Sequence, residues 1–171
     1  MINRVVQSAK KWEYAFFVYL SILAILLAAL ANSTHVFLSS DSIVRFVPDI
    51  ENLFNGAGYH SFEEATYRGP LFSFVVFIAA KIMGGKIFEA GLVVGVWACL
   101  LFITGVFLVS RKAFDARLAF LLSITVGLNS TVLFNSVEWL TDMLFAALCM
   151  LSFLMMYYDD QKRFLLVDCL V

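Results

Sequence analysis

The apolar positions of this chain fall into blocks too long and too continuous for the surface helices of a soluble domain. An uncharged run over residues 14–31 follows an amino-terminal stretch carrying Arg4, Lys10 and Lys11, and further apolar runs cover 90–109, 118–134 and 137–158. A helix rising 1.5 Å per residue needs about 20 residues to cross a hydrocarbon core of ~30 Å. The pattern therefore predicts four spans, at 14–34, 90–109, 118–134 and 137–158. The first is longer than a signal-peptide core; AALANS offers only a weak cleavage site, so the run reads as an uncleaved signal anchor.

Between the first two blocks lies a loop, 35–89, with a different rhythm. Ile43, Phe46, Val47, Ile50, Leu53 and Phe54 recur at helical spacing, while Asp41, Arg45, Asp49 and Asn52 occupy the other face. This predicts an amphipathic helix lying along a membrane surface. Pro48 predicts a kink or a division into two short helices, because its ring clashes with the preceding turn. The NGAG at 55–58 then ends the segment. Residues 71–83 are apolar almost all round, yet a helix of that length reaches only about 20 Å. It is expected as a second interfacial helix.

Composition turns this pattern into a class. The chain is 62% hydrophobic and 15% charged, with a mean hydropathy of +0.90, outside the range of soluble domains. The expectation is an all-α integral membrane protein, one membrane domain over 1–171 with about four transmembrane helices and two interfacial helices in the first outer loop. With four crossings, Arg4, Lys10, Lys11, Arg111, Lys112, Arg117, Lys162 and Arg163 share one side, and Arg45, Arg68, Lys81 and Lys86 the other. The positive-inside rule makes the first side, with the amino terminus, cytoplasmic. A net charge of −1 carries no signal for nucleic acid. Cys99, Cys149 and Cys169 lie in or beside apolar runs without metal-ligand spacing and read as small hydrophobes.

The same topology brings two acidic spots to the outer face, Asp41 and the pair Glu138 and Asp142. Being four apart, Glu138 and Asp142 share one side of a helix. Acids in the first turn suit the helix dipole, whereas charges just inside a membrane mark function or a paired partner. Both readings stand. Asp41 on its residues alone is an N-cap. His35 and His60 are loop residues, and the NST sequons at Asn32 and Asn129 lie at or within spans and carry little weight.

The stretch SSDSIVRFVPDIENLFNGAGYHSFEEATYRGPLFSFVVFIAAKIMGG is similar to the first outer loop of the GT-C membrane glycosyltransferases that use polyprenyl-phosphate sugars, the aminoarabinose and protein mannosyltransferase-like group. It carries an outer Asp at the start of an amphipathic helix, then a basic residue before proline opening a short apolar helix that ends in Gly. The later SRKAFDARLAFLLSITVGLNSTVLFNSVEWLTDMLF resembles that group's sequence of basic turn, span and outer acidic Thr-Asp.

The resemblance implies inverting transfer of a hexosyl or pentosyl group from a polyprenyl-phosphate donor to a glycan, lipid or protein acceptor, on the outer face of the plasma (inner) membrane. Asp41 matches the catalytic acid that takes the acceptor's proton, which requires a direct hydrogen bond. Arg68 matches the basic residue that holds the lipid-linked phosphate. Arg45, one turn beyond Asp41, either pairs with that acid or joins Arg68 on the phosphate, and Tyr67 is carried over as substrate-binding. Glu138 and Asp142 fall where one branch binds a divalent metal, implying Mg²⁺ or Mn²⁺ if they converge with Asp41. Gly69 stands where the family often has a first proline, which loosens that turn.

Family members continue for several more spans, and KRFLLVDCLV reads as the beginning of another helix, so the chain is expected to be an amino-terminal part, inactive alone. A different class is a non-enzymatic membrane subunit that binds lipid or a partner protein. A transporter piece is disfavoured because no charge lies in mid-span.

Overall fold

The computed structural model describes residues 2–33, 46–56, 71–137 and 141–168, with side chains at 10–30, 46–56, 71–137 and 142–157. Among the described residues there are helices and no strands: α1 (Ile2–Ser33), α2 (Val47–Phe54), α3 (Leu71–Ile82), α4 (Ile87–Ala113), α5 (Ala116–Gly127), α6 (Ser130–Val137) and α7 (Thr141–Asp168). The expected all-α class holds.

Among the described residues, two helices are long and apolar enough to cross a membrane, α1 over Lys10–Leu30 and α4 over Ile87–Ala113. Each reaches at least ~30 Å at 1.5 Å per residue. The third expected span, 118–134, is not one straight helix. α5 and α6 meet at 59° across Leu128 and Asn129, and the pair counts as one further span only if a broken helix is allowed. Sequence chemistry explains the break. After Gly127 the Asn129 side chain accepts from the Thr131 backbone N–H at 2.9 Å, the geometry that opens a new helix. Val137 belongs to α6, so the fourth apolar helix begins at Thr141, and its apolar part among the described residues is the shorter Asp142–Tyr157. α7 runs unbroken through Lys162 to Asp168; that stretch extends α7 instead of beginning another helix.

α4 is the axis of the bundle. Phe16 of α1 stacks on Phe107 of α4 at 3.9 Å between ring centroids, and Glu13 pairs with Arg111 at 3.0 Å, so the start of α1 meets the end of α4 and the two run antiparallel. Trp12 lies 5.6 Å from Phe120, which sets α5 alongside α1. Gly105 faces Met150 and Lys112 lies over Tyr157, the same offset twice, so α7 runs parallel to α4. The main core collects Phe16, Leu23, Leu27, Ala98, Cys99, Ile103, Phe107, Ala119, Met143 and Ala147. The opposite faces expose Phe17, Ile25, Trp97, Phe145 and Phe153, as helices surrounded by lipid do.

Five hydroxyls bond within their own helices. Ser21, Thr104, Ser123, Thr125 and Ser136 each donate to the carbonyl four residues back. That satisfies a polar group where no water is available.

A second core joins α2 and α3 to the first half of α4, with Phe46, Val47, Ile50, Phe72, Val76, Ala80, Ala90 and Val94. Edge contacts of Phe46 with Phe72 and of Phe54 with Phe77, both 5.0 Å, clamp α2 onto α3. Pro48 neither kinks nor divides the described helix. It lies at the first helical turn, where its missing N–H costs nothing. The expected polar face of α2 is also corrected: Asp49 is buried, at 8% exposure, while Pro48 and Glu51 face outward. Packing against α3 turns the helix farther than its apolar spacing indicates. Gly56 follows α2 with φ +71, and α3 ends in a tight turn in which Gly85 N–H donates to Ala80 at 2.8 Å.

The closest backbone approach on α4 is at Gly95, where an added Cβ would collide with the Ser136 carbonyl of α6. Backbone cannot swing away. At Gly105 the obstacle is instead the Met150 side chain, which is flexible. Gly95→Ala is therefore expected to destabilise by about 1–3 kcal/mol, as overpacking does. Gly105→Ala should cost less, since Met150 can change rotamer and the helix propensity gained, roughly 0.8–1.0 kcal/mol, offsets part of that shift. Thermal unfolding in detergent followed by circular dichroism separates the two; equal losses would contradict the assignment of Gly95 as a backbone contact.

Candidate functional site

Of the residues singled out from sequence, Asp41, Arg45, Tyr67, Arg68 and Glu138 lie outside the described residues, as do His35 and His60. Asp142 is described. It sits in the first turn of α7 with its side chain exposed, a position where a carboxylate complements the helix dipole.

The Asp142 neighbours Met143 and Leu144 turn inward, Met143 into the main core and Leu144 against both cores. The start of α7 thus sits beside α2, α3 and the first half of α4. Of the helices packed at that end, α2 carries the buried Asp49 and α3 the fully buried Ser73, whose hydroxyl has no hydrogen-bond partner. Sequence reasoning assigned Asp49 to water and passed over Ser73. Neither has a spacing signal that betrays burial.

A divalent ion needs several oxygen ligands. Asp142 alone is one carboxylate, and among the described residues no three His, Cys, Asp or Glu side chains converge. Cys99 and Cys149 are free thiols, the first buried and the second exposed.

The opposite end has its own chemistry. Arg111 donates to Glu13, Arg117 lies 6.0 Å from the Trp12 ring, and Lys112 lies 5.9 Å from the Tyr157 ring. With Lys10 and Lys11 preceding Trp12, the cations of α1, α4 and α5 gather at one level, which the charge count expected. Cations beside a Trp and a Tyr are the composition of a membrane-interface belt. The Glu13 pairing was not anticipated, because Glu13 lies within a basic flank and has no partner in sequence.

No family model matches the chain, and neither the curated proteins nor the solved structures offer a match.

Proposed function

We propose that the chain is a GT-C-like membrane glycosyltransferase module that transfers a sugar from a polyprenyl phosphate to an acceptor at the outer face, with the amino terminus cytoplasmic and four crossings. The observation that supports this reading is the seat of α2 and α3. They pack on Ala90 and Val94 of α4, and Ala90 lies about 31 Å along the helix from Arg111 at 1.5 Å per residue. One hydrocarbon thickness is ~30 Å. With the basic end at one interface, α2 and α3 fall at the other, as interfacial helices.

In this reading Asp41 removes the proton from the acceptor hydroxyl or amine as the oxygen or nitrogen attacks the anomeric carbon. The carbon–oxygen bond to phosphate breaks, and Arg68 with Arg45 takes up the anion charge. Polyprenyl phosphate is a weak base and leaves without a general acid. Tyr67 lines the sugar. No step is routed through a metal.

Two measurements test it. With the native cysteines replaced, a membrane-impermeant maleimide added from outside should label a cysteine at His60 and spare one at Ala113; the reverse pattern overturns the orientation. For the chemistry, Asp41→Asn keeps the capping ability of the side chain and removes the base. Transfer from polyprenyl-phosphate donors should be lost at unchanged membrane expression. Arg68→Ala should cost about 2.7–4 kcal/mol of transition-state stabilisation, the range for removing an oxyanion partner. Wild-type turnover in Asp41→Asn would return Asp41 to the role of a helix cap and favour the non-enzymatic subunit.

A further inference from the structure

We propose that the bend between α5 and α6 is a dimer contact, in which the exposed Asn129 of one copy pairs in mid-membrane with Asn129 of a second copy of this chain. The contact rests on the membrane placement of the bundle and does not depend on the glycosyltransferase reading.

Depth is set by the helices on which α5 and α6 lean. A Cβ at Gly127 would meet the Tyr19 hydroxyl of α1 and the Ile103 side chain of α4, and Ile103 lies about 12 Å along α4 from Arg111 at 1.5 Å per residue. Ser136, near the end of α6, meets Gly95, about 24 Å from Arg111 on the same scale. Residues 128–131 fall between those levels, in the middle of a hydrocarbon core of ~30 Å. Yet Leu128 is 53% exposed, and Asn129, Ser130 and Thr131 are exposed beside it. An interrupted helix at this depth is tolerated where protein covers it and not where it faces lipid tails.

The bend satisfies its backbone and leaves side-chain donors over. The Asn129 side-chain carbonyl takes the Thr131 N–H at 2.9 Å, but among the described residues the Asn129 amide nitrogen and the hydroxyls of Ser130 and Thr131 donate to nothing. Thr125, one turn earlier, returns its hydroxyl to Leu121 at 3.0 Å. For Ser130 and Thr131 the carbonyl four residues back belongs to α5, on an axis 59° away. The NST of 129–131 thus presents polar groups where neither water nor a lipid tail can answer them.

A second copy can. Asn carries donor and acceptor in one group, and a two-fold axis along the membrane normal brings each copy's amide to the other at the same depth, since an isologous contact uses the same patch twice. The flanking face has the spacing such a contact needs. Leu118, Leu121, Thr125 and Leu128 recur at intervals of four, three and three or four along α5 and are exposed, while Ala116, Ala119, Ser123 and Gly127 face inward. A single Asn in an otherwise apolar seam fixes the register and number of the helices that meet there.

The test uses the full chain with its native cysteines replaced, in the membranes in which it is expressed. Under mild oxidation a cysteine at Leu128 should join its own counterpart and give a product of twice the chain mass on a non-reducing gel; a cysteine at Phe145, exposed on α7, should not. In lipid vesicles, self-association followed by energy transfer between labelled copies should weaken about three- to thirtyfold in Asn129→Ser, the range for polar contacts between membrane helices. Serine keeps the cap of α6 and lacks the amide. Leu121→Ala leaves the bend untouched and should also weaken association, so a loss caused by misfolding at residue 129 is told apart, whereas Phe145→Ala should have no effect. A monomer throughout, equal cross-linking at Leu128 and Phe145, or a product of any other mass overturns the pairing. So does unchanged association of Asn129→Ser.

Discussion

The contact between Gly95 of α4 and the Ser136 carbonyl of α6 is the constraint on which the arrangement of the bundle turns. In lipid the hydrophobic effect gives helices little reason to associate, since the tails are as apolar as leucine; association rests on close van der Waals fit. α4 supplies that fit with a run of small buried residues, Ala90, Gly91, Gly95, Ala98 and Gly105. Different helices use different members of the run, α3 at Ala90, α6 at Gly95 and α7 at Gly105. One helix can then be touched from several sides without being thick. Bulky residues on α4 are divided between the core, at Ile103 and Phe107, and the exposed side, at Trp97 and Leu101.

The two ends of this axis are chemically unlike. At one, cations, a tryptophan and a tyrosine surround the Glu13–Arg111 pair, which is partly exposed at 43% and 29%. An ion pair that open to solvent contributes little to stability, typically 0–1 kcal/mol; its weight lies in fixing where α1 meets α4. At the other end aromatic edge contacts hold α2 on α3, and α3 packs on the first half of α4. Neither short helix is long enough to be stable on propensity alone, so their geometry is borrowed from α4. Of the candidate residues, Asp41 and Arg45 precede α2 in sequence while Tyr67 and Arg68 fall between α2 and α3, and chemistry on a loop is only as precise as the elements that anchor it.

Long uncharged runs made α1 and α4 legible in the sequence, and the charge count anticipated which helix ends share a level. The short α3 and the glycine-bearing turn after α2 were also visible. What escaped was tertiary. Asp49 satisfies every local rule for a solvent face, and only the position of α3 buries it. The Glu13–Arg111 pair joins residues at opposite ends of two spans and has no local signature. The break at Leu128 and Asn129 was written in GLNST, with a glycine followed by a capping asparagine, but an apolar count over 118–134 averages across it. For the candidate site, the sequence singled out residues by order and resemblance, and of these only Asp142 has a described surrounding, the first helical turn where an acid serves the dipole.

That break also has a physical function. Interrupting a helix within an apolar region exposes backbone groups at several kcal/mol each unless they find partners, so a bend persists only where the local chain absorbs them. Here it does. Leu128 N–H donates to Ile124 at 2.9 Å, Asn129 N–H to Val126 at 3.2 Å, and the Asn129 side chain takes the Thr131 N–H. On the inner side Gly127 leaves room for the Tyr19 ring of α1 to close against the bend. With its polar groups accounted for, α6 leaves the line of α5 by 59° and carries Ser136 onto Gly95. The close approach that organises α4 is thus made possible by a break that hydrophobicity alone would not place, and a straight third helix would carry Ser136 along the line of α5, away from that contact.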